Sequence, residues 1–265
     1  MFSLPLLALM VAAGEPSWHD SFAEGRRAAI KHKKDLVIYF RPDERLDEAL
    51  RRRSVKRLLS QYVCVKVPPS HEYEGKRYLD HPALAEMMGK PGLAVISFHD
   101  AKLSHYREVI SVHPFVGSSY GWVPALGASQ LAIILSLPRD ANLNQRSMLY
   151  ALRIHPDEPQ SIFGERHPAF CAHAERHSAR QAALCHQHHA NILGIGIGAS
   201  SEVVAESWGR VVGGENILEA AFSCVDAWRH SSGHWGAISR KHRYFSFDIA
   251  QGSNGTWYAT GIFGD

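Results

Sequence analysis

Hydrophobic positions change their period several times along the chain. Asp35-Leu-Val-Ile-Tyr-Phe40 is an unbroken β-rich run, the pattern of a strand covered on both faces. Residues 63–67 and 93–98 repeat it, and residues 106–112 give a fourth strand. Helical spacing fills the intervals. Asp20 or Ser21 can cap a helix through Phe22, Ala23, Arg26, Ala29 and Ile30. A charged helical stretch covers 43–61, a short helix 83–88 and a closing helix 127–137. Strands that alternate with helices predict an α/β sandwich.

The second half has a different rhythm. Pro138, Asp140, Asn142 and Asn144 mark a linker, set at 139–146, after which Ser147 can cap a helix from Met148 to Arg153. Pro168 suits a first helical turn, and the stretch after it runs to Cys185 with no Gly or Pro. Phe170, Ala174, His177, Gln181, Leu184 and His188 share one face of that helix. His173 and His177 are four apart, but Glu175 is one position late for the H-E-x-x-H zinc motif, so His177 reads as a core histidine. Residues 202–208 form a short extended or helical piece, and Gly213-Gly214 breaks the chain. An amphipathic helix from Asn216 to Trp228 follows. Residues 244–250 and 256–263 then alternate at period two around Asn254-Gly255, a strong hairpin signal.

Composition narrows the class. The 265 residues carry 29 Lys+Arg against 26 Asp+Glu, a formal charge of +3, which does not point to a nucleic-acid partner. An apolar content of 45% can build a real core. No run is long and apolar enough for a transmembrane helix. The first residues, Phe2 to Ala13, are apolar, with Val11 and Ala13 at the −3 and −1 positions of a signal-peptidase site. Residues 1–15 are therefore expected to be a signal peptide and the mature chain secreted or periplasmic. Histidine stands out, since 10 of the 17 follow Tyr150. The four cysteines contain no C-x-x-C. Cys64 reads as a buried strand thiol, and Cys171 and Cys185 sit about 21 Å apart on one helix. In an exported chain, Cys224 could pair with one of the others.

Residues 16–138 resemble a thioredoxin-like domain. The resemblance rests on Trp18 before the first helix, the strand at 36–40 and Gly89-Lys-Pro91 before the strand at 93–98. It implies a cis bond at Pro91. It places the redox pair about five residues after Phe40, where this chain has Arg45 and Glu48. Neither supplies the thiolate that disulfide exchange needs, so this domain is expected to be redox-inactive.

Residues 147–265 resemble the CAP superfamily of cysteine-rich secretory, antigen 5 and pathogenesis-related proteins, in its bacterial form. The motif is Trp228-Arg-His-Ser-Ser-Gly-His234 followed by the 243–263 hairpin. The resemblance implies an α-β-α sandwich, usually secreted, with a cleft of histidines and acidic residues. His234 matches the last histidine of the motif. The helix-end histidine is His188, with His189 and His186 as alternatives. The cleft carboxylate is Glu206, which leaves room for a helix before Trp228, although Glu215 matches a Gly-Glu-Asn segment literally. Ser231 stands where some members have a second acid. The expected cleft thus comprises His188, His189, Glu206, Trp228, Ser231 and His234.

Two neutral imidazoles and a carboxylate (His188, Glu206, His234) could hold Zn²⁺ with one open position. With Ser231 in place of an acid, no base for a bound water is evident. The expected function is therefore non-enzymatic binding of an envelope component, lipid or protein. A metal-dependent hydrolase and a purely structural protein are the alternatives.

Overall fold

The computed structural model describes residues 15–41, 44, 46–195, 198–208 and 215–265. The expected signal-peptide cleavage site, Arg45 of the redox position and the Gly213-Gly214 break lie outside them. The first half contains β1 (Trp18–His19), α1 (Phe22–His32), β2 (Leu36–Phe40), α2 (Asp47–Arg51), α3 (Arg53–Leu59) and β3 (Val63–Val67). A small hairpin, β4 (Glu72–Tyr73) and β5 (Lys76–Arg77), precedes two 3-10 segments, Tyr78–Asp80 and Pro82–Met87. Then come β6 (Gly92–Ile96), β7 (Val109–Pro114) and α4 (Ala128–Leu135). The second half contains α5 (Leu143–Ile154), β8 (Glu165–Arg166), α6 (Pro168–Leu184), β9 (Ala199–Glu206), α7 (Ile217–Arg229), α8 (Ser232–Ser239), β10 (Tyr244–Gln251) and β11 (Trp257–Gly264). The architecture is mixed α/β, as expected.

The first sheet has the order β1-β3-β2-β6-β7. β1 and β2 run parallel to β3, whereas β6 and β7 are antiparallel to their neighbours. β2 is central and all five of its residues are buried, which explains its unbroken apolar run. α1 crosses this sheet so closely that a Cβ at Gly25 would overlap the Val65 side chain.

A carboxylate sits where β2 begins. Asp35 accepts the Phe98 N–H at 2.8 Å, the His99 N–H at 3.0 Å and His99 Nδ1 at 2.8 Å. Burial would raise its pKa. The Arg139 guanidinium and the Phe98 and His99 donors outweigh that and hold the group below the usual carboxylate range.

Several expectations are corrected. Among the described residues no peptide bond is cis, so Pro91 is trans. The reversal before β6 is made by two left-handed residues, Met88 (φ 53°) and Gly89 (φ 64°), and the Pro91 carbonyl accepts the Phe115 N–H at 2.8 Å. The charged stretch after β2 is two helices, because Arg52 is extended (φ −60°, ψ 134°). The fourth strand starts at Val109, since Arg107 adopts φ 71° in the preceding turn. α5 starts at Leu143 and is capped by Asn142, whose Oδ1 accepts the Gln145 N–H, not by Ser147. All four cysteines are free.

The second sheet has the order β8-β10-β11-β9. Strand alternation divides its faces. Phe245, Phe247 and Ile249 of β10, with Trp257, Ala259 and Phe263 of β11, pack into the core shared with α5 and α7. The opposite face lies under α6 and is largely polar. There Ser178 Oγ donates to Asp248 Oδ1 at 2.5 Å, and Gln181 Nε2 donates to Thr260 Oγ1 at 2.9 Å. Among the described residues, Phe170, Ala174 and Ile262 form a small buried apolar cluster on that side. The result is a three-layer α-β-α sandwich.

One apolar core runs through both halves, from β2 and β3 through α4, α5 and α7 to β10 and β11. Arg146 of α5 is buried within it. Its Nε donates to Ser111 Oγ at 2.7 Å, and its terminal nitrogens donate to the carbonyls of Ile134, Leu137 and Pro138 at 2.9–3.1 Å. Those carbonyls close α4, so Arg146 fastens the 139–146 segment to the first half.

Candidate functional site

The histidine cluster forms where α6 ends beside β9. α6 begins with Pro168 behind its cap His167, whose Nδ1 accepts the Ala169 N–H. It stops at Cys185, which is left-handed (φ 48°). The chain then folds back along the last turns of the helix. The Gln181 carbonyl accepts the His186 N–H at 3.1 Å, and Gln181 Oε1 accepts the His188 N–H at 3.2 Å. His177 Nε2 donates to the His188 carbonyl at 2.8 Å. This is the hydrogen-bonded, buried role expected of His177.

The carboxylate that meets these rings is Glu202, in the middle of β9. Its side chain is 4% exposed. Oε2 accepts His189 Nδ1 at 2.9 Å and the Ala190 N–H at 2.8 Å. Oε1 is 3.7 Å from His177 Nε2, and it has no hydrogen-bond partner among the described residues. His173 Nε2 is likewise buried without a partner among them. The ring of His173 lies 6.2 Å from that of His177, which lies 4.9 Å from His188. His234, on α8, completes the group with its ring 5.9 Å from His189.

Burial is the main cause that lowers the pKa of both His173 and His234, and the neighbouring His189 adds to it at His234. Both rings are therefore neutral at neutral pH and present a lone pair. Each donor bond made by Nδ1 of His189 or Nε2 of His177 leaves the other ring nitrogen as an acceptor when that ring is neutral. The site thus offers a half-occupied buried carboxylate beneath imidazoles, of which His189 is 58% exposed.

The residues nominated from the sequence divide into two groups. His188, His189 and His234 join the cluster, and His186 stacks on His188 at its outer edge. Glu206 ends β9 opposite Tyr258, roughly 13 Å along the strand from Glu202. Glu206 and Glu215 bear instead on Cys224, whose thiol is pushed up chiefly by burial and then by those two charges. Trp228 is fully buried against Phe247, with ring centres 5.9 Å apart, inside the shared core. Ser231 caps α8 through its backbone position. Leu184, expected on the inner face of α6, is 57% exposed.

The carboxylate that meets these histidines is thus Glu202 rather than Glu206. Among the described residues, no group of three or more His, Cys, Asp or Glu is placed to hold a metal ion. His188, Glu206 and His234 in particular do not converge. His188 Nδ1 is engaged with the His186 carbonyl at 3.1 Å, and Glu206 lies at the far end of β9. The donor set does not fit a zinc centre.

Among the described residues, no helix is long and apolar enough to cross a membrane. Comparison of the chain with family models, curated proteins and solved structures gives no match.

Proposed function

We propose that the protein is an exported, non-enzymatic binding protein. Its first half is read as a redox-inactive thioredoxin-like module and its second as a CAP-like module. The mixed five-stranded sheet and the α-β-α layering support these family readings. The redox-inactive reading gains support from Cys64, which is buried, with its thiol pushed up to about 12.

The ligand site is the Glu202 cluster, and one observation carries it. A carboxylate shielded from solvent has one oxygen fully engaged and the other without a hydrogen-bond partner among the described residues. A buried acceptor left open is costly, and a donor from outside the chain relieves it. The ligand class that suits this is rich in hydroxyl donors, such as a glycan of the cell envelope. Neutral rings at His173 and His234 accept further donors.

Sedimentation with insoluble envelope polysaccharide tests the reading. Wild type should co-sediment, and Glu202→Gln should weaken retention by at least about tenfold, the effect of about 1.4 kcal/mol. Equal retention of wild type and Glu202→Gln, or retention of neither, would reject it.

A further inference from the structure

A cavity lies where the second half meets the first, away from the Glu202 cluster. It has a volume of about 450 Å³. The end of β7, the 115–126 loop, α5 and the start of α7 all contribute to it. Its walls are mainly apolar and aromatic, from Phe115, Leu126, Tyr150, Leu218 and Phe222. That size and lining, at the junction of two halves, match a small-molecule site.

One charged group faces this apolar space. Glu219 is the only formally charged side chain among the described residues of the lining. It is held in place from across the junction, since its Oε2 accepts both the Ser119 N–H at 3.1 Å and Ser119 Oγ at 2.9 Å. His113 and the Tyr150 phenol also line the space. Burial, with the nearby Arg146 charge, pushes His113 down to about 3, so it stays neutral. The positive end of α7 is already met by Glu86, whose Oε2 accepts the Ile217 N–H at 2.6 Å. The carboxylate of Glu219 is therefore the charge that an occupant would meet.

We infer that this cavity binds a small organic cation with an aromatic or branched aliphatic body, an amine or quaternary ammonium of modest size. The body fills the apolar walls. The cationic end pairs with Glu219 and faces the rings of Phe222 and Tyr150, whose π-faces also attract cations. A neutral molecule of the same shape lacks the ion pair and binds more weakly. The site is independent of the Glu202 cluster.

The probes are 2-phenylethylammonium and its neutral counterpart 2-phenylethanol, titrated into the full chain by calorimetry and ligand-observed NMR. The ammonium should bind with a dissociation constant on the order of 1 mM or tighter. The alcohol should bind at least about tenfold more weakly. Glu219→Gln should erase that preference. Gly117 and Gly121 both line the cavity, and a Cβ at either has nothing within 4 Å, so Gly117→Trp and Gly121→Trp each add an indole to the lining without a backbone clash. Both should abolish binding while circular dichroism and the melting temperature stay near wild type, and if one fails to fold, the other decides. Equal affinity for the two probes, no saturable binding of either, a preference that survives Glu219→Gln, or binding that survives a folded tryptophan variant would each overturn the proposal.

Discussion

Arg139 donates through Nε to Oδ2 of Asp35 at 2.7 Å, joining the segment after α4 to the first residue before β2. Asp35 is fully buried, and Arg139 is about a third exposed. Removing the charge from such a pair leaves the remaining cation poorly compensated. Asp35→Asn should lower stability by about 2–3 kcal/mol at pH 7, as measured by urea unfolding. The folded pKa is depressed, so this contribution is present above the ordinary carboxylate value and fades as pH falls through the lower folded value. The gap between wild type and variant should therefore close in strong acid.

Asp248 has the opposite sign. Burial beneath α6 raises it from 3.8 to about 7, despite the Ser178 bond. The unfolded chain loses this proton near pH 4, whereas the folded chain keeps it until about pH 7. Stability from this group is thus greatest below pH 4, declines between the two values and is flat above. The full span is about 4 kcal/mol. Asp248→Asn should remove the decline and be more stable than wild type at pH 8. Parallel denaturation series at pH 5 and pH 8 measure this.

The guanidinium of Arg146 makes four bonds inside the core. Burial pulls its pKa down to about 10, yet it remains charged at neutral pH. A lysine cannot serve Ser111 and three separate carbonyls from one planar fork. Arg146→Lys should cost about 3 kcal/mol, or ~10 °C in melting temperature. Differential scanning calorimetry reports both numbers.

Thiol reactivity should follow burial. Cys185 has its pKa lowered by its Ser253 and Asn254 contacts and is only partly buried, whereas Cys64 and Cys224 are buried with raised pKa values. Iodoacetamide followed by peptide mass spectrometry should label Cys185 in the native protein. Cys64 and Cys224 should label only after denaturation.

Much of the fold is legible in the chain, because local pattern and tertiary burial agree. The unbroken run at β2, the Asn216 cap of α7 and the Asn254-Gly255 turn between β10 and β11 all carry their signal within a few residues. The start of α5 is not legible in this way, since a fully buried arginine at 146 looks like a solvated linker until its four acceptors are in place. The bend at Arg52 has no Gly or Pro to announce it. Of the clustered histidines, His234 falls in the Trp228–His234 motif and His188 and His189 follow the end of a helical pattern, but the carboxylate carries no such mark. Glu202 and Glu206 share the same strand parity, so alternation cannot separate them. What separates them is the position of His177 and His189 over the middle of β9, a relation between elements that no short window contains.

Among the described residues, the apolar packing passes without a break from β2 through α5 into β11. A protein built this way should melt in one transition, and either half expressed alone would expose the apolar side chains that the other covers. Any shape change at the crevice beside Tyr150 is felt by both sheets together, because α5 lies against each of them.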